Sequence, residues 1–140
     1  AAQTKQCGLE AGEDPVNNPI EYILESIKTI YSIKHKNGAI RRVNVNAAPL
    51  PVADLKVLRS VGIGTFQVFQ ETYNPDKYET LHLMGHKRVW PYRFDAQERA
   101  LRGGMRPAEI FVAAMRMIPS RKRASSREET VIAANGRNNR

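Results

Sequence analysis

Cysteine occurs once in the 140 residues, at Cys7, and that scarcity excludes several chemistries at the outset. One thiol cannot close an internal disulfide. It is too few for an iron–sulfur cluster, which takes three or four thiolates, and too few for a thiolate zinc site. The three histidines, His35, His82 and His86, have neither zinc-ligand spacing nor the pattern of a hydrolase triad, so no metal site is expected from them. No N-terminal apolar run has the length of a signal peptide or a membrane span, and a cytoplasmic setting is the resulting expectation.

What is present looks globular. Apolar residues make up 41% and charged residues 26%, a balance that lets one modest domain bury a core. The net charge of +8 is uneven: residues 106–140 hold eight Arg/Lys against three Glu and supply +5 of it. A basic surplus can mark nucleic acid or an anionic membrane surface as partner. Here much of it falls in Pro119–Arg140, rich in Arg, Ser and Asn, with little to bury and no interleaved aromatics. Residues 119–140 are therefore expected to be a basic disordered tail, and nucleic acid is only a secondary reading.

Two helix-then-strand units can be read from periodicity. In Asn18–His35, Ile20, Ile23, Leu24, Ile27, Ile30 and Tyr31 recur at helical spacing, with Asn18 as N-cap, Pro19 in the first turn and Glu21 three residues after the cap. Asn37-Gly38 predicts a left-handed stop, and Ile40, Val43 and Val45 predict a strand through Asn46. Val52, Leu55, Leu58 and Val61 predict a second helix, broken by Gly62 and Gly64 before a strand over Thr65–Phe69. Further helices are expected over Pro75–His82, Arg93–Leu101 and Ile110–Ile118, with a loop around Gly85–Pro91. Alternation at this interval predicts an α/β fold with parallel strands, a section of a βα barrel.

Four polar constellations stand where such a fold builds its sites, beyond strand C-termini. Leu9-Glu10-Ala11-Gly12-Glu13-Asp14-Pro15 reads either as a capping turn or as a loop whose carboxylates meet a cationic amine. Alternation in Val43-Asn44-Val45-Asn46 sends both amides to one face, toward a polar ligand or toward solvent. Phe69-Gln70-Glu71-Thr72-Tyr73 offers a carboxylate suited to a ribose diol, or a capped loop. Arg93, after Trp90 and Tyr92, carries a planar fork suited to a carboxylate, or lies exposed on its helix.

Taken in order, Leu-Glu-Ala-Gly-Glu-Asp-Pro at 9–15, Ile-Arg-Arg-Val-Asn-Val-Asn at 40–46, Gly-Ile-Gly-Thr-Phe-Gln-Val-Phe-Gln-Glu-Thr-Tyr at 62–73 and Tyr-Arg-Phe-Asp-Ala-Gln-Glu-Arg-Ala at 92–100 resemble the radical S-adenosylmethionine (SAM) tyrosine lyases. The likeness spans residues 8–104. It is nearer to the branch that matures iron-iron hydrogenase than to the 2-iminoacetate synthases of thiamine biosynthesis. The resemblance implies a partial (βα)6 barrel of TIM type over residues 8–118. It also implies SAM and a 4Fe–4S cluster as the family's cofactors, and cleavage of tyrosine to p-cresol and dehydroglycine for the CO and CN ligands of the hydrogenase. Residue by residue, Gly12 and Glu13 would meet the SAM amino group, Glu71 its ribose and Arg93 its carboxylate. Asn44, Asn46 and Gln70 would face SAM or tyrosine.

The departures from the family pattern are equally specific. Its Cys-x-x-x-Cys-x-x-Cys loop is not in this sequence, so the cluster is not expected on this chain alone, no catalytic residue is assigned, and the chain is expected to be inactive by itself. Residues 1–7 do not resemble the family's strand, and the segment from Arg106 does not resemble its glycine-rich one; truncation or a frameshift at both ends is the expectation these raise. Two other readings stand beside the lyase: a small basic nucleic-acid-binding protein, and a non-catalytic chain that associates with a partner completing the barrel.

Overall fold

The computed structural model describes residues 6–36, 38–115 and 131–133, of which Met115 and 131–133 are described by their backbone alone. Strand β1 (Gln6–Glu10) is followed by helix α1 (Ile20–Ser32), a two-residue antiparallel ladder of β2 (Lys34–His35) with β3 (Gly38–Ala39), and strand β4 (Arg42–Asn46). Helix α2 (Val52–Ser60) leads to β5 (Thr65–Glu71). Three short helices, α3 (Pro75–Leu81), α4 (Trp90–Phe94) and α5 (Ala96–Arg102), precede β6 (Ile110–Met115) and β7 (Val131–Ala133). The five-stranded sheet has the order β1-β4-β5-β6-β7. Its first four strands are parallel and β7 is antiparallel to β6. This is an open section of a barrel wall, not a closed barrel.

One face of the sheet is dry. Val43 and Val45 of β4, Phe66 and Val68 of β5 and Val112 of β6 pack with Ile23 and Ile27 of α1 and Leu55 and Leu58 of α2 in one core. These helices form because their apolar residues fall three and four apart and need this surface to cover them. The opposite face carries Arg42, Asn44, Asn46, Thr65 and Gln67, brought side by side by the pairings Asn44↔Thr65 and Asn46↔Gln67 and all at least partly exposed. The phenol of Tyr31 ties the layers together. It donates to the Gly62 carbonyl at 2.8 Å and accepts from the Val43 amide at 3.1 Å.

Several expectations need correction. Ile110–Met115, within the stretch expected to be helical, is a strand paired with β5. A short apolar run cannot be told from a buried helix by periodicity, and the β-rich Ile-Phe-Val start together with an open sheet edge decides it. The helix expected over Arg93–Leu101 is two, divided at Asp95. The cap of α1 is Pro19 without a side-chain bond, while the Asn18 amide donates to the Gly12 carbonyl at 3.3 Å. Asn37 lies outside the described residues; one place before it, Lys36 takes the left-handed turn, with φ of 51°. β1 starts at Gln6, so its first two residues belong to the segment 1–7 whose sequence does not resemble the family's strand. Val131–Ala133 is paired although residues 119–140 were expected to lack structure; the rest of that stretch lies outside the described residues. Among the described residues no helix is long and apolar enough to cross a membrane.

The entry to β6 is held by charge. Glu109 accepts from the Arg106 backbone amide at 2.9 Å and from its guanidinium at 3.0 and 2.6 Å, and meets Arg59 at 3.6 Å. The Arg106 side chain foremost, then its amide, holds the Glu109 carboxyl below the usual carboxylate range.

Two outcomes follow from these contacts. Tyr31→Phe leaves the Gly62 carbonyl and Val43 amide without their partner and is expected to lower stability by about 1–3 kcal/mol in denaturant unfolding. For Glu109, the folded state binds its proton less readily than the unfolded chain does. Its contribution is therefore complete above the unfolded carboxyl value, about pH 4.3, and is lost as pH falls through the lower folded value. Glu109→Gln should flatten that part of the acid limb of a denaturant-midpoint profile.

Candidate functional site

The C-terminal ends of β1, β4 and β5 meet at one edge of the sheet, where the polar segments emerge. The Ala11 amide donates to the Asn46 carbonyl at 2.9 Å, which carries the β1–β4 pairing one step past the strand. The loop then folds on Asp14, whose carboxylate accepts from the Val16 and Asn17 amides at 3.0 and 3.1 Å and from the Asn17 side chain at 2.6 Å. The Asn17 side chain, then its amide, keeps the Asp14 carboxyl below its ordinary value. The turn is thus ordered by its own acid, and Glu13 beside it remains available to the sheet edge.

β5 ends differently. Its register with β6 shifts between Phe69 and Glu71, and Glu71 has φ of +68°, a left-handed conformation uncommon outside glycine. The irregularity puts Glu71 at the strand mouth, where it pairs with the Lys87 ammonium. Lys87 sits in a 3₁₀ turn, His86–Arg88, whose carbonyl at Lys87 accepts the Tyr78 hydroxyl. Burial, the largest cause, pushes the Tyr78 phenol up, so it stays a donor at neutral pH. The Trp90 indole donates to the Thr72 carbonyl at 3.3 Å and anchors the start of α4 beside β5.

Arg93 closes the arrangement. It is 4% exposed; one terminal nitrogen donates to the Phe69 carbonyl at 2.6 Å, and the other bonds the Glu13 carboxylate. Its Nε is buried without a partner. Gly12, Glu13, Asn46, Glu71, Lys87 and Arg93 all line one cavity of about 220 Å3. The two acids and two bases around it balance, a surface suited to a zwitterion.

Four of the residues singled out from sequence, Gly12, Glu13, Glu71 and Arg93, are therefore brought together, with Asn46 beside them. Asn44 is on the same face but deeper, its carbonyl oxygen taking the Arg42 guanidinium at 3.1 Å. Gln70 is not in the cavity lining: it is 1% exposed, and its amide donates to the Thr72 carbonyl at 3.4 Å. Cys7 pairs with Val43 in register, toward the helix-covered side. Lys87 was missed by sequence reasoning. Its only signal was a lone lysine after Gly85, and nothing local ties it to an acid sixteen residues earlier.

A second, larger cavity of about 680 Å3 shares the Gly12–Glu13 wall and runs between the α1 and α2 starts over Ile23, Leu50 and Tyr92. Asp54 stands at it, its carboxyl raised by burial first and by Glu21 second.

Arg93→Met is expected to cost roughly 2–3 kcal/mol, between a charge-assisted hydrogen bond and a fully buried ion pair, because Glu13 and the Phe69 carbonyl lose their partner. Adding Glu13→Met should recover part of the loss in a double-mutant cycle read by guanidinium unfolding.

No protein-family model matches the sequence, and no curated protein matches it. Solved structures do. A crystal structure of HydG, a maturase of the FeFe-hydrogenase, superposes with a TM-score of 0.76 at 47% identity over 80% of this chain and 24% of that one. The X-ray structure of the FeFe-hydrogenase maturase HydG from Carboxydothermus hydrogenoformans superposes at 0.69 with 39% identity over 79% of this chain and 24% of that one. The chain thus spans about a quarter of the length of the structures it matches. At these identities likeness of fold and likeness of sequence coincide over about four fifths of the chain, which is similar to a section of these HydG maturases and matches a partial radical SAM barrel region.

Proposed function

We propose that this chain is the SAM-holding part of a radical SAM tyrosine lyase of the hydrogenase-maturing kind. The observation that carries the reading is the shared 220 Å3 cavity of Gly12, Glu13, Glu71 and Arg93. The donor set suits SAM: the Glu13 carboxylate can take the ammonium, the buried Arg93 guanidinium supplies fixed positive charge for the carboxylate end, and Glu71 accepts from the ribose hydroxyls. Gly12 brings backbone close to the ligand, and Asn46 offers an amide on the side where tyrosine would lie. In a complete enzyme of this kind, SAM reduced by one electron from a cluster held elsewhere would supply the chemistry that converts tyrosine to p-cresol and dehydroglycine, and Gly12, Glu13, Glu71 and Arg93 would hold it. The residues here bind and orient; none of them is assigned a proton or electron to carry.

The cluster does not fit the residues of this chain. Cys7 is its one thiol, and among the described residues no group of three or more His, Cys, Asp or Glu is placed to hold a metal. No step is routed through it, and the chain alone is proposed to bind without turning over.

S-adenosylhomocysteine, which needs no cluster to bind, tests this. Calorimetry is expected to show binding to the full chain that Glu71→Ala weakens by about tenfold, the worth of one charge-assisted contact. Absence of binding, or binding by both Glu71→Ala and Glu13→Ala as tight as by the unaltered chain, refutes the assignment. Iron and sulfide reconstitution should leave no stable cluster absorbance; a cluster that survives desalting contradicts the second half of the reading.

A further inference from the structure

We propose that Lys87 is a ligand-binding residue, the cation that leaves Glu71 on ligand entry and takes the ligand's carboxylate. This rests on the reading of the cavity as a SAM site and adds a contact to it.

The starting point is how the two cations are committed. Arg93 is 4% exposed, with both terminal nitrogens already donating, one to a strand carbonyl and one to Glu13. It is built in, and swinging it out would strand a carboxylate and a carbonyl. Lys87 has the opposite character. Its side chain is 39% exposed, its partner Glu71 is 22% exposed, and both line the cavity. Such half-solvated pairs are weak, so exchanging one partner costs little. Lysine's flexible stem and rotatable donors suit a contact that is remade, whereas arginine's fork suits one that is kept.

With its Oε1 held by the ammonium, Glu71 has only its other oxygen fully free, whereas a ribose diol brings two hydroxyls. A ligand bringing hydroxyls and a carboxylate resolves this by exchange: Glu71 accepts from the diol, and Lys87 pairs with the carboxylate against the fixed positive background of Arg93. The amino-acid end of the ligand brings one charge of each sign and so leaves the balance of Glu13, Glu71, Lys87 and Arg93 unchanged. The backbone is arranged for this, because the Tyr78 hydroxyl fixes the Lys87 carbonyl and leaves only the side chain to move. The left-handed backbone at Glu71 likewise sets the direction in which its side chain leaves the strand end.

Two adenosine thioethers separate the possibilities: S-adenosylhomocysteine, which has the carboxylate, and 5′-methylthioadenosine, which lacks it. By calorimetry on the full chain, Lys87→Met is expected to weaken the first by about tenfold. It should leave the second within about twofold or tighten it, since Glu71 no longer needs to be released. Lys87→Arg should restore most of the loss. If Lys87→Met weakens both alike, or neither, while the unaltered chain binds both, the Lys87 inference falls and the adenosyl site stands. If the unaltered chain binds neither compound, the site assignment falls and this inference with it.

Discussion

The guanidinium of Arg93 joins parts of the chain that no strand pairing connects. Glu13 is eighty residues away in sequence, on the loop after β1, while Phe69 belongs to β5, with β4 between them in the sheet. A hydrogen-bonded sheet fixes its strands but not the loops that leave them. The loop following β1 is ordered internally by Asp14, tied to β4 by the Ala11 amide at its start, and held to β5 by this cation. Because the cation is buried, neither partner is readily lost to water: the desolvation already incurred makes a half-broken clamp worse than an intact one. The geometry of the cavity, and the side of it from which Glu13 is presented, therefore depend on a residue in a five-residue helix.

Much of the fold was legible because the two signals that matter agree. The isoleucines of α1 recur three and four apart, Val43 and Val45 alternate with asparagines, and glycines punctuate the passage from α2 to β5. Each pattern reports a burial requirement that only one local geometry satisfies. Reading failed where the requirement was ambiguous. Ile110–Met115 is apolar enough to be buried as a helix or as a strand, and what decides it is the free edge of β5, a fact about another segment. The break at Asp95 was hidden by helix formers on both sides.

The site was legible in the same uneven way. Strand C-termini mark where side chains gather in parallel α/β folds, so Gly12, Glu13, Asn46 and Glu71 could be placed at one edge before any coordinates. Gln70 went the other way because it shares its parity with Phe66 and Val68, so alternation along β5 carries it to the buried face, away from Glu71. Lys87 was invisible for a physical reason: a long side chain on a turn can reach any of several neighbours, and only the packing of Tyr78 and Trp90 selects Glu71.

The polar face of the sheet has a consequence of its own. Parallel sheets ordinarily bury both faces and carry apolar side chains on each. This one sets Arg42, Asn44, Asn46, Thr65 and Gln67 opposite the helices, with Phe69 exposed near the cavity. Stripping water from these amide, hydroxyl and guanidinium groups without offering hydrogen bonds in its place would cost free energy. Whatever packs over this face must therefore be polar itself or leave water behind.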